Sequence, residues 1–389
     1  MTRPKLIRIT TVPISLKYLI KGQMYFMSKN GFDITMISAD GVEINDVIEN
    51  EKCKHIIFPL TRKITPLQDL KAVFKLYKFL KKEKPQIVHT HTPKAGIIGM
   101  LASYFAKVPN RLHTVAGLPL LETTGVKRKI LNFVEKITYS CATKVYPNSN
   151  GLKQIILQNR FVKEDKLKVI ANGSSNGIDT SYFNPDLFSV EEKKILKEDL
   201  KIQKEDFVFI FVGRIVGDKG INELIEAFNR LLTEKKDVKL LLVGPFEDEL
   251  DPLKKMTKLL IKNSQNIISV GYQNDVRPYF SISDCLVFPS YREGFPNVVM
   301  QAGAMKLPSI VSDINGCNEI IENNINGLII KLKSVDAIYD AIIKIIFDKP
   351  FFNKLRLNSR DSIKIKYERE VYWGLLLNEY EYQINKNLV

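Results

Sequence analysis

The chain has 389 residues, 45% of them hydrophobic and 26% charged, which is too long for one ordinary core and too apolar for a disordered chain. Lys and Arg outnumber Asp and Glu by 58 to 43, a formal charge of +15, so the partners to consider are anionic small molecules, acidic lipid or nucleic acid. No run of about eighteen apolar residues occurs, which argues against a spanning helix. Met1 to Thr10 passes straight into a strand pattern without the apolar stretch of a signal peptide. Cys53, Cys141, Cys285 and Cys317 are scattered and show no C-x-x-C spacing, and only four His are present. Reduced thiols in a cytoplasm and no zinc site are expected.

Short β-branched runs alternate with stretches of helical period from end to end. Strands are expected at 5–10, 33–38, 54–59, 86–90, 111–115, 143–147 and 167–171, then at 206–212, 237–243, 266–270, 284–288, 308–312 and 327–331. This alternation predicts an α/β chain of two Rossmann-like, doubly wound parallel-sheet domains. The turn-rich Tyr182-Phe183-Asn184-Pro185-Asp186 marks the break. The expected domains are 1–185 and 186–369, with a terminal helix at about 370–389 packing back on the first. Ligands of such sheets bind just beyond the carboxyl ends of the strands, so the segments after strands carry the functional reading.

In the first half, Lys21-Gly22-Gln23 stands at the first strand-to-helix passage, and no G-x-G-x-x-G or Walker A pattern occurs there. Thr65-Pro66 opens a helix with a hydroxyl cap and Pro at its first position. Lys71, Lys75, Lys78 and Lys82 then recur at helical spacing, and Leu70, Val73, Phe74 and Tyr77 form another stripe that is expected to pack on the sheet. The free lysine face, joined by Lys127-Arg128-Lys129, suits an anionic membrane surface. His89 and His91 alternate on one side of a strand without a third metal ligand, and are read as cleft lining or core. Lys94 and Gly96 open the next helix, where an anionic acceptor would fit. His113 lies at the carboxyl end of another strand.

In the second half, the strand ending at Val212 runs into Gly213-Arg214-Ile215-Val216-Gly217-Asp218-Lys219-Gly220. Gly213 admits a close backbone approach, and Arg214 and Lys219 sit on one loop where both can meet one diphosphate. The strand Cys285-Leu286-Val287-Phe288 leads through Glu293-Gly294-Phe295-Pro296-Asn297 into a helix. Backbone N–H groups at that helix start favour an anion, while Glu293 would repel phosphate and suits a sugar hydroxyl. Asn315 and Glu319, after another strand, read at least as well as helix-start polar groups as they do as ligand contacts.

Gly213-Arg214-x4-Lys219-Gly220 together with Glu293-Gly294-Phe295-Pro296-Asn297 resembles the retaining glycosyltransferases of family 4, with the GT-B fold. Val88-His89-Thr90-His91, His113-Thr114-Val115-Ala116-Gly117-Leu118, Pro147-Asn148-Ser149, Asn176-Gly177-Ile178-Asp179 and Val243-Gly244-Pro245 extend the likeness over the chain. The members it is most similar to assemble bacterial capsule, lipopolysaccharide and other glycans. The resemblance implies two domains facing across a cleft. It implies that Arg214 and Lys219 hold the donor diphosphate, that Glu293 holds the sugar hydroxyls, and that His113 reaches the reacting sugar. It places Gly22, Gly213, Tyr272, Gly294, Phe295, Pro296 and Asn297 at the donor, and His91 and Lys94 on the acceptor side. Eight residues past Glu293 the family carries a second glutamate for the ribose, and here Gln301 stands in its place. Where many relatives carry a glycine pair in the first loop, only Gly22 remains.

The implied reaction needs no metal or other cofactor. It moves a hexosyl or N-acetylhexosaminyl group from a nucleotide-sugar to a glycan on a polyprenyl-diphosphate carrier, at the inner face of the plasma membrane. A UDP-sugar is the favoured donor, although no residue separates uracil from guanine. Two rivals are a sugar-nucleotide epimerase of similar fold, for which no acid–base pair is evident in the first domain, and a basic nucleic-acid binder, for which stacking aromatics are lacking.

Overall fold

The computed structural model describes residues 3–386 apart from Pro119, Leu121, Glu122 and Leu250. The chain forms two compact units, one of residues 1–177 and 369–389, the other of 178–368.

The first unit is built on a parallel sheet of six strands: β1 (Lys5–Ile9), β2 (Asp33–Ser38), β3 (Lys54–Ile57), β4 (Ile87–His91), β5 (Asn110–Val115) and β6 (Lys144–Pro147), in the order 3-2-1-4-5-6. The second unit repeats the plan with β7 (Phe207–Val212), β8 (Val238–Val243), β9 (Ile267–Gly271), β10 (Cys285–Phe288), β11 (Ser309–Ser312) and β12 (Gly327–Ile330), in the order 12-11-10-7-8-9. Helices cover both faces of such sheets, so their strands are apolar without alternation; Phe207-Val208-Phe209-Ile210-Phe211-Val212 is the plainest case. In each unit the strand order reverses beside the first strand, at β1/β4 and at β7/β10, and the crevice there is where doubly wound sheets hold ligands.

Twelve of the expected strands form, and one does not. In 167–171 only Leu167 pairs, as an isolated bridge to Val145. Ala171 then takes φ +51°, which turns the chain away from an extended path.

The division between units falls at Gly177/Ile178 rather than at 185/186. Residues 178–185 are bonded to the helix Lys349–Tyr367 of the second unit. Ile178 N–H donates to Tyr367 O at 2.8 Å. The Arg360 guanidinium donates to Phe183 O and Thr180 O, each at 2.8 Å. The helix Arg369–Lys386 belongs to the first unit, where Tyr372, Leu376 and Tyr380 are buried with Leu6, Met24 and Leu112.

The helix Pro66–Glu83 differs from expectation in two ways. The Thr65 hydroxyl does not cap it; Oγ1 donates to Asp69 Oδ1 at 3.0 Å. The face turned inward carries Ala72, Leu76 and Leu80, whereas Leu67, Leu70 and Phe74 are 80%, 68% and 57% exposed. The stripe expected on the sheet is divided: Val73 and Tyr77 pack against the core, while Leu70 and Phe74 join Leu67 on the outside.

Candidate functional site

In the second unit the loops after β7 and β10 are joined by a ladder of contacts. Tyr291 N–H donates to Asp218 O at 2.9 Å. Arg292 pairs with Asp218 at 2.7 Å. Lys219 Nζ lies 2.5 Å from Glu293 Oε1, with the two side chains only 14% and 17% exposed. Ser290 Oγ donates to the same Glu293 oxygen at 2.9 Å.

Two glycines make this approach possible. Gly220 takes φ +72°, and a Cβ there would lie 2.2 Å from Pro289 O. Gly316 takes φ +77°, and a Cβ there would lie 2.5 Å from Gly294 O. Only glycine meets both demands at once. Beside it, Asn315 Nδ2 donates to Gly294 O at 2.6 Å, so Asn315 supports the Glu293 turn through the backbone. The sequence marked Asn315 only as a polar group at a helix start and did not mark Gly316, because both follow a different strand, β11.

A third loop, after β8, reaches Arg214. Its guanidinium lies 3.3 Å from Glu247 Oε2, and Ile215 N–H donates to Pro245 O at 2.8 Å. Gly213 and Gly244 have φ +151° and +150°, and a Cβ on Gly244 would lie 1.8 Å from Gly213 O. Arg214 and Lys219 therefore each face a carboxylate, from Glu247 and Glu293. A diphosphate is a better partner for both cations, because it offers more acceptor oxygens and more charge. Lys219 has three donors, so it can keep Glu293 and take a phosphate oxygen as well.

The turn after Glu293 divides its work. Phe295 is buried, edge-on to Tyr367 with ring centroids 5.5 Å apart. Its side chain is core, so only its backbone remains for contact with a ligand. Pro296 precedes the helix Asn297–Ala304, whose start no side chain caps; its first N–H groups are the kind an anion satisfies. Gln301 is half-buried one turn on, on the same face as Asn297. Tyr272 is exposed just after β9.

In the first unit the expected residues are mostly interior. His113 is 2% exposed, with Nδ1 2.8 Å from Thr90 Oγ1. A Cβ on Gly96 would lie 2.5 Å from the His113 ring, so Gly96 is the space that admits the imidazole. Burial, then Arg8, pushes the His113 pKa down to about 3. A neutral, enclosed ring differs from the expected residue that reaches the sugar.

His91 is also buried, and with His89 it flanks the Arg8 guanidinium. His89 Nδ1 lies 2.5 Å from Arg8 and 2.6 Å from the Tyr380 hydroxyl, and Nε2 lies 2.8 Å from Thr114 Oγ1. With Nδ1 accepting from Arg8, the proton belongs on Nε2. The pair on β4 thus binds a buried arginine and is core rather than acceptor lining. Lys94 is partly exposed and paired with Asp69 at 2.5 Å.

Gly22 is engaged as well. Its N–H donates to Glu51 Oε1 at 2.5 Å, and Glu51 Oε2 accepts from Met24 and Tyr25 N–H at 2.9 and 3.0 Å. Gly22 has φ +81°, and a Cβ there would lie 2.8 Å from Trp373. Trp373 Nε1 donates to Asn176 Oδ1 at 2.7 Å, and Asn176 Nδ2 donates to Lys21 O at 3.0 Å. The glycine that the resemblance places at the donor is pinned by Glu51 and covered by the terminal helix. Sequence spacing missed this cluster because its members lie far apart in the chain.

Residues 192–362 match the family "Glycosyl transferases group 1", and residues 15–149 match "Glycosyl transferase 4-like". The chain is 34% identical to the capsular polysaccharide biosynthesis glycosyltransferase CapM of Staphylococcus aureus, over 98% of this chain and 97% of that protein. It is 31% identical to the UDP-Gal:alpha-D-GlcNAc-diphosphoundecaprenol alpha-1,3-galactosyltransferase of Escherichia coli, over 85% and 84%. Among solved structures it is similar to a glycosyltransferase of Rickettsia africae, with a TM-score of 0.81, 21% identity and 99% of both chains covered. Anabaena HepE in complex with UDP and glucose superposes with a TM-score of 0.78 at 16% identity, covering 97% of this chain and 99% of that one. With this family match, two parallel six-stranded sheets and basic loops at the reversal of the second, the chain belongs to the family 4 glycosyltransferases of GT-B fold that serve bacterial glycan assembly.

Proposed function

We propose that this glycosyltransferase moves a hexosyl or N-acetylhexosaminyl group from a UDP-sugar to a hydroxyl of a polyprenyl-diphosphate-linked glycan, with retention and without a metal. The contact that carries the donor reading is Lys219–Glu293: a cation and a carboxylate side by side where the strand order reverses. A diphosphate joined to a sugar needs that combination, a positive group for the leaving phosphate and an acceptor for the carbohydrate hydroxyls.

In this reading Arg214, Lys219 and the uncapped start of the helix Asn297–Ala304 stabilise the charge that develops on the leaving diphosphate. The bond from the anomeric carbon to the phosphate oxygen breaks, and the bond to the acceptor oxygen forms on the same face. The acceptor proton passes to the departing phosphate. Glu293 holds the donor sugar, Gln301 the ribose, and the Gly213, Tyr272 and Gly294–Asn297 backbones line the donor. His113 is left out because its ring is enclosed.

The acceptor class is supported by the diphosphoundecaprenol-linked substrates in the names of the Escherichia coli relative and of a Campylobacter jejuni relative, 30% identical over 78% of both chains. Lys71, Lys75, Lys78 and Lys82 are all exposed, and suit attachment to the cytoplasmic face of an anionic membrane. Among the described residues no helix is long and apolar enough to cross a membrane. The test is incubation of the purified protein with radiolabelled UDP- and GDP-sugars and bacterial lipid extracts. Label entering the lipid fraction from a UDP-sugar supports the proposal; free sugar or an isomerised nucleotide as the sole product counts against it.

A further inference from the structure

The helix Pro66–Glu83 has an outer apolar stripe that the sheet does not use. One residue turns a helix by about 100°, which sets Leu67, Leu70 and Phe74 within about 60° of one another. Lys71, Lys75, Lys78 and Lys82 occupy the adjoining sector of about 60° by the same geometry. Ala72, Leu76 and Leu80 lie opposite and are buried. Beside the stripe, Leu70, Val73, Phe74, Tyr77 and Phe105 line an open groove of about 340 Å³. Phe105 ends the neighbouring helix Pro93–Phe105 and is itself exposed. That helix packs on its other side against the helix Gly125–Cys141. There Val126, Ile130 and Phe133 repeat the pattern, exposed at helical spacing.

We infer that this ridge, centred on Leu67, Leu70 and Phe74, inserts into the interfacial acyl layer of an anionic bilayer, with the lysine row at the headgroups. Lysine at the edge of an apolar stripe suits such an interface, because the chain lies on the apolar surface while the ammonium reaches phosphate. The charge balance favours lipid over a second copy of the chain. The two carboxylates of this helix, Asp69 and Glu83, are paired with Lys94 and Lys5. In the lysine row Lys75 and Lys78 rest over the Phe58 and Phe74 rings, which leaves their charge uncompensated for an anionic partner, and two such rows would repel each other. The inference deepens the proposed membrane-side location by adding apolar insertion to electrostatic attachment. It does not depend on the donor site.

Co-sedimentation with vesicles of phosphatidylglycerol and phosphatidylcholine tests it, since vesicles without glycan report binding separately from sugar transfer. Leu70→Ser/Phe74→Ser keeps the net charge and should weaken vesicle binding about tenfold or more. Because both positions are exposed, its melting temperature should stay near that of the parent protein. Wild-type binding should persist in part at raised salt, and should fall on pure phosphatidylcholine. Equal binding by parent and variant, or complete loss of parent binding in salt, would overturn insertion. A parent dimer that the double substitution turns into a monomer, without vesicle binding by either, would instead assign the ridge to contact between copies.

Discussion

Lys219 Nζ and Glu293 Oε1 lie 2.5 Å apart, joining the loops that follow β7 and β10. The two loops meet beside the reversal of strand order, so the backbone brings together a cation and a carboxylate separated by more than seventy residues. In the proposed donor site each group takes a further partner: a phosphate for the lysine and a carbohydrate hydroxyl for the glutamate.

Arg214 is held at 3.3 Å by Glu247, on a loop that is not otherwise part of the donor reading. A nucleoside diphosphate must compete with that carboxylate. Glu247→Gln should therefore tighten UDP binding, by about threefold to tenfold for a partly exposed pair. Titration calorimetry at fixed ionic strength measures it. Unchanged or weaker binding would mean that Arg214 does not exchange Glu247 for phosphate.

Gly220→Ala should be costly without removing any functional group. Its Cβ would meet Pro289 O at 2.2 Å, and φ is +72°. Strain and clash together predict a loss of about 2–4 kcal/mol in stability, with transfer falling as the loops part. Chemical denaturation followed by circular dichroism gives the first number, and an assay at a temperature where the variant is folded gives the second.

Gln301→Glu would install the acid that family resemblance leads one to expect. A carboxylate accepts ribose hydroxyls more strongly than an amide does, so the donor KM should fall by about threefold to tenfold while kcat stays nearly constant. Steady-state kinetics separates the two. A change in kcat at constant KM would place residue 301 nearer the chemistry than the ribose.

Acid should weaken the first unit early. Burial and then Arg8 hold His89, His91 and His113 far below the usual histidine value of 6.5. The folded state therefore binds fewer protons than the unfolded state once pH drops below about 6.5. Stability is present above that pH and is lost as pH falls toward the depressed values, by up to about 1.4 kcal/mol per pH unit for each histidine. Trp373 is the single tryptophan and belongs to the first unit. Urea titrations followed by its fluorescence at pH 7.5, 6.5 and 5.5 should show a falling midpoint, and a flat series would contradict the buried, neutral assignment.

The strands and the second-unit loops were legible because each is written in a short local pattern. Phe207-Val208-Phe209-Ile210-Phe211-Val212 has no other sensible place than a buried parallel strand. Glycines at Gly213 and Gly220 bracket the basic pair, and both take positive φ. What stayed hidden depends on contacts between distant segments. Nothing near Gly22 announces Glu51 or Trp373, and nothing near His113 announces that Gly96 opens room for its ring. Histidines at the ends of strands look alike whether they face a ligand or a buried arginine. Leu70 and Phe74 likewise fit an inner or an outer stripe equally well, and only the packing of Ala72, Leu76 and Leu80 decides which face turns inward.

The rate of sugar transfer by Lys219→Ala, compared with the parent protein at saturating donor and acceptor, bears most directly on the donor clamp. Loss of a charge that stabilises the departing diphosphate should lower kcat by about a hundredfold or more, with the circular dichroism spectrum unchanged. A folded variant that transfers sugar within about twofold of the parent rate would leave the lysine no part in the reaction.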